Sequence, residues 1–126
     1  MVKNVGVASF NSYLISDEKT VLIDTVPKEY KKEFFGNIKK HTNKIDYVVL
    51  TTTAPDASGC VLELFNQYPD IKIIASVAGI RNLKEIINAP FSEILAKNDE
   101  CIDIGKTSIR FIMTPNLSWP DTMVAF

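Results

Sequence analysis

Thr51-Thr52-Thr53-Ala54-Pro55-Asp56-Ala57-Ser58-Gly59 separates the apolar run Tyr47-Val48-Val49-Leu50 from the amphipathic run Val61 to Tyr68. Four consecutive apolar residues fit a strand covered on both faces, and Val61, Leu62, Phe65 and Tyr68 mark one helical stripe. A turn that leaves a buried strand and enters a helix is where open α/β folds gather backbone donors and side chains around a ligand. This turn is chemically sparse, with one carboxylate, Asp56, among threonine, alanine and serine. A protein-bound zinc or iron usually takes three or more side-chain donors. Locally, Asp56 is placed to cap the following helix with its carboxylate, a role Ser58 shares by position.

The same alternation continues on both sides. Val5 and Val7, then Tyr13-Leu14-Ile15, then Val21-Leu22-Ile23 predict a meander of short strands, with a tight turn at Ser16-Asp17-Glu18-Lys19. Pro27 suits a first helical position, and Tyr30, Phe34, Phe35 and Ile38 form an apolar face opposite five lysines. His41, the single histidine, falls at that helix's polar carboxyl end, where a cation is favoured. Cys60 opens the next helix and reads as a small hydrophobe, since no base or resolving cysteine accompanies it. Ile71 to Ala75 predicts a further buried strand, and Val77, Ile80, Leu83, Ile86 and Ile87 a third helix ending near Asn88-Ala89-Pro90. Beyond Phe91, the runs Glu93-Ile94-Leu95, Cys101 to Ile104 and Ser108 to Ile112 read as antiparallel ribbon strands, and Met123 to Phe126 begins another.

Composition limits the function classes. With 126 residues the chain fits one domain over 1–126, and a net charge of −1 implies no bulk attraction to nucleic acid or anionic membrane. Two cysteines in no paired spacing, and no secretory h-region, suggest a reduced, cytoplasmic protein. No apolar run approaches the ~20 residues of a membrane span. Scattered single glycines exclude a phosphate loop, and a Ser-His-Asp triad would have to recruit the distant His41.

Several separated motifs carry a resemblance. Asn11 to Ile15, Thr20-Val21-Leu22-Ile23-Asp24-Thr25, Pro55-Asp56-x-Ser58-Gly59, Ser76-x-Ala78-Gly79 and Trp119-Pro120-Asp121-Thr122-Met123 together resemble the metallo-β-lactamase-like domain of flavodiiron proteins. The resemblance runs along essentially the whole chain, and Trp-Pro-Asp-Thr-Met is its most specific signal. It implies an α/β fold (α+β by some schemes): half of an αββα sandwich, with a mixed sheet and about three helices, truncated relative to the family. The family holds two irons in carboxyl-end loops and uses FMN to reduce oxygen or nitric oxide.

Its metal motif, His-x-Glu-x-Asp-His, maps onto Thr52, Ala54, Asp56 and Ala57, and a further family histidine onto Ser118. Only Asp56 is retained. Replacing imidazole and carboxylate by Thr, Ala and Ser removes both charge and donors. The expectation is therefore a chain with no catalytic residues, no metal and no cofactor. It would act as a degenerate, non-catalytic binding or oligomerisation module, through a protein partner or as a homodimer. The alternative is the amino-terminal part of a flavodiiron-type oxidoreductase that needs further chain or a partner.

Overall fold

A computed structural model describes residues 2–8, 10–51, 53, 58–87, 91–96, 100–106, 108–113 and 123–125. The meander expected at the amino end is β1 (Val2–Asn4), β2 (Tyr13–Ser16) and β3 (Thr20–Ile23), paired antiparallel in that order. β1 is shorter than the apolar pattern through Val7 suggests. The side chain of Asn4 explains this: its Oδ1 accepts from the Gly6 amide at 2.9 Å, and a bridge between Val7 and Phe10 closes a separate turn. Val5 and Val7 remain buried although they leave the strand.

From β3 the chain makes three successive crossovers. A 3-10 turn (Lys28–Tyr30) and α1 (Lys31–Lys39) lead to β4 (Tyr47–Val49). Next come α2 (Val61–Gln67), β5 (Lys72–Ala75), α3 (Val77–Ile86) and β6 (Ser92–Leu95). β3, β4, β5 and β6 pair in parallel, so the six-stranded sheet is mixed and its strands lie in chain order. β7 (Glu100–Asp103), β8 (Ser108–Met113) and β9 (Met123–Ala125) form a second, antiparallel sheet.

The run Glu93 to Leu95 is thus not a ribbon strand. It adds to the large sheet beside β5, as the third strand of a strand–helix–strand series does when each helix returns the chain in the same direction. Its alternation reflects an edge position: Ser92, Glu93 and Leu95 are exposed and Ile94 packs under the second sheet. Lys84 of α3 reaches Glu93 at 3.4 Å across that edge.

Period-two geometry divides the apolar side chains between two layers. Leu14, Leu22, Val48 and Ile73 face the helices, where they bury Phe34, Ile38, Leu64 and Leu83 completely. Val21, Val49 and Ile74 face the other way, onto Ile104, just past β7, and Ile109 of β8. This is a helix layer, a mixed sheet and a second sheet, with three α-helices among the described residues. No helix of the described residues is long and apolar enough to cross a membrane.

Candidate functional site

Parallel register places the carboxyl ends of three neighbouring strands on one edge, because Ile23 stands level with Val49 and Val49 with Ile74. The residues just past those ends are Asp24, Leu50-Thr51 and Ser76. The β4–β5 rung continues normally, with the Leu50 amide donating to the Ile74 carbonyl at 2.9 Å. The β3–β4 rung does not. The Asp24 amide donates to the Val49 carbonyl at 2.8 Å, and a parallel ladder would next have the Thr51 amide donate to the Asp24 carbonyl. Asp24 instead takes a left-handed backbone, φ 61°, which turns its carbonyl to accept from the Ser12 hydroxyl at 2.7 Å. Its carboxylate fills the vacated place, accepting the Thr51 amide at 2.7 Å and the Thr51 hydroxyl at 2.6 Å.

Asp tolerates this conformation better than most residues, because a short polar side chain can bond locally. The electrostatic cost is visible in its acidity. Burial pushes the Asp24 carboxyl up from 3.8 to about 6, against the opposing pull of the Thr51 hydroxyl and amide.

A second group of hydrogen bonds fixes the far side of the turn. The Ser58 hydroxyl donates to the Thr53 carbonyl at 2.8 Å, and Asn82 of α3 donates to the Thr53 hydroxyl at 3.1 Å. The Cys60 amide donates to the Thr25 hydroxyl at 3.2 Å, tying the head of α2 to the segment after β3. Gly59 permits that approach: a Cβ there would stand 2.6 Å from the Lys28 amide and 2.8 Å from the Val26 carbonyl. Ser76 caps α3 by accepting the Gly79 amide at 3.0 Å. Beside Thr53 and Ser58 lies a cleft of about 510 Å³ with apolar walls from Phe10, Pro27, Tyr30 and Leu62.

Cys60 is buried, and that burial pushes its thiol pKa up, in keeping with a small hydrophobe. His41 is exposed past the end of α1, at the opposite edge of the sheet. All five motif positions, Thr52, Ala54, Asp56, Ala57 and Ser118, lie outside the described residues. Sequence reasoning passed over Asp24 as a site residue, together with Ser12, Thr25 and Asn82. The available signal was a carboxylate set directly against the apolar run Val21-Leu22-Ile23, which leaves it half-buried. Among the described residues no three His, Cys, Asp or Glu side chains converge, and Asp24 has both oxygens occupied by Thr51. The described residues by themselves therefore do not fit a metal centre, and what they supply chemically is a braced, hydrogen-bonded edge.

No protein-family model matches the chain. Its relatives are informative. The chain is 41% identical over 119 residues to flavo-diiron protein FprA2 of Clostridium acetobutylicum, covering 91% of this chain and 30% of the relative. It is 34% identical over 128 residues to the anaerobic nitric oxide reductase flavorubredoxin homolog of Escherichia coli O157:H7, covering 98% of this chain and 31% of the relative. Its fold superposes on rubredoxin oxygen:oxidoreductase from the anaerobe Desulfovibrio gigas with TM-score 0.89 and 33% identity, over 93% of this chain and 30% of that one.

The class defined by fold and edge is thus the metallo-β-lactamase-like sandwich, in a mixed α/β form with three helices. Within that class its relatives and structure neighbours are flavodiiron proteins, matched along 91–98% of this chain, and the match supports a flavodiiron-type amino-terminal domain. It spans about a third or less of the length of the curated relatives it matches.

These relatives overturn the expectation that no cofactor is involved, since they are proteins named for a flavin and a di-iron centre. The physical reason lies in the scope of the residue count. It weighed four positions of the central turn and Ser118, whereas this chain spans only 30% of a relative named for its di-iron centre.

Proposed function

We propose that the chain serves a flavodiiron-type redox protein as the scaffold that forms one wall of its site. The site would be completed by polypeptide or a partner contributing the remaining donors. The observation that carries this reading is the superposition on rubredoxin oxygen:oxidoreductase at TM-score 0.89 with 33% identity. Reduction of a small oxidant is the reaction class that the relatives' names suggest, with a flavin supplying electrons when bound. This chain's own part is positional. Asp24, Thr25, Thr53, Ser58 and Asn82 hold the carboxyl edge in one arrangement, and an apolar-walled cleft adjoins it. A preorganised edge of this kind avoids reorganisation when a charged group binds. Iron and FMN measured in the assembly that the chain forms with that polypeptide or partner, purified anaerobically from iron-replete cells, test the reading. Near-stoichiometric amounts of both support it, and absence of both overturns it.

A second reading, in which the chain acts by binding or self-association, is favoured by the residues at the motif positions: Thr52, Ala54, Ala57 and Ser118 offer neither imidazole nor carboxylate. It predicts a dimer by light scattering that persists across a roughly tenfold dilution. A monomer throughout would sink the self-association form.

A further inference from the structure

We infer that the exposed face of α1 is a docking surface for an acidic protein segment, whose carboxylates engage Lys32, Lys39 and Lys40 while its main chain passes close over Gly36. The charge of the chain is segregated toward this helix. Six of the 14 Lys and Arg residues, but only two of the 15 Asp and Glu residues, fall between Lys28 and Lys44, in a chain whose net charge is −1. All six lysines are exposed, and Lys32, Lys39 and Lys40 join no ion pair among the described residues.

Two features of α1 cost the helix stability and gain nothing from the fold. The helix dipole welcomes Lys39 and Lys40 at the carboxyl end but opposes Lys31 and Lys32, which hold the first two positions. Gly36 stands in the helix interior, where glycine is the poorest choice short of proline. A Cβ there would meet nothing within 4 Å, so no close packing within the described residues asks for a glycine. Its neighbours along the helix surface, three and four positions away, are Lys32, Glu33, Lys39 and Lys40. The result is a bare patch of backbone with three ammonium groups around it. A hollow of about 360 Å³ extends this strip past the helix end, lined by Lys39, Asn43, Gln67 and Tyr68.

Charge selects the occupant. A second copy meeting this face through the same face would set lysine against lysine. A nucleic acid would be repelled at range by the rest of the chain, where acidic residues outnumber basic ones. A membrane surface needs apolar anchors, and none of the large exposed apolar side chains among the described residues lies between Lys28 and Lys44. A polypeptide bearing carboxylates suits both the lysines and the bare backbone, because its main chain is slim enough to approach Gly36 closely.

The test is an NMR titration of the full chain with a poly-glutamate peptide in low salt. Shifts are expected to concentrate on α1 and on Asn43 and Gln67, and to fade as salt is added. Lys32→Glu with Lys39→Gln should weaken the peptide by about tenfold or more. Gly36→Leu separates docking from folding: it should raise the urea midpoint, because a good helix former replaces glycine, and yet weaken the peptide. A glycine with a merely structural role would leave peptide affinity unchanged. Shifts spread equally over Lys72, Lys84 and Lys106, unchanged affinity in Gly36→Leu, or tighter binding of a DNA duplex or of phosphatidylserine vesicles than of the peptide overturns the inference.

Discussion

Asp24 joins an unusual backbone, a main-chain role and a shifted acidity in one residue. Its folded value of about 6 lies above the ordinary 3.8, so folding favours the protonated form. The stability due to that proton is fully present below about pH 4 and lost as pH rises to about 6, in total about 3 kcal/mol as an upper figure. Urea titrations at several pH values should therefore show Asp24→Asn flattening this loss, and an unchanged slope would count against it. Gly59 makes a separate demand. The atoms a Cβ would meet belong to the backbone of Val26, Pro27 and Lys28 and have nowhere to move. Gly59→Ala should cost about 2 kcal/mol or more in denaturant melts. The cysteines should differ as their burial does: a thiol reagent should label exposed Cys101 in the native protein and buried Cys60 only on unfolding.

Among the elements, α3 depends on its cap and α1 on its buried face. Ser76→Ala removes the acceptor for the Gly79 amide and should cost about 1 kcal/mol, measurable as a shift in the urea midpoint. Phe34 is fully buried, with its ring 5.3 Å from that of Phe35, and Phe34→Ala should cost about 3–5 kcal/mol. The elements were also what the sequence conveyed best. The stripes Phe34-Phe35-Ile38 and Ile80-Leu83 became the buried faces of α1 and α3, since burial of a repeated face has a fixed period, whereas Val77, read as part of the second stripe, is exposed. Glu93 to Leu95 was misread because an edge strand alternates whether its neighbour runs parallel or antiparallel. Asp24 was hidden for another reason: a side chain replacing a carbonyl in a ladder depends on one φ angle and on Ser12, twelve positions away. No periodicity records such a bond. The motif positions could be read from the sequence one by one, and they lie outside the described residues.

Across the whole molecule, the six-stranded sheet keeps its strands in chain order from β1 to β6. Each pairing beyond the meander joins a strand to the one made just before it, across a helical connection. Contacts of this kind need only modest loop closure, so no strand must wait for a distant segment before it can dock. A chain leaving the ribosome can accordingly build the sheet vectorially. The β2–β3 hairpin is the first template, and each later strand extends an edge that already exists. The growing edge is the vulnerable one at every stage, and in the finished sheet it is β6, where exposed Ser92 and Glu93, the latter paired with Lys84, put polar and charged groups where another chain would otherwise add.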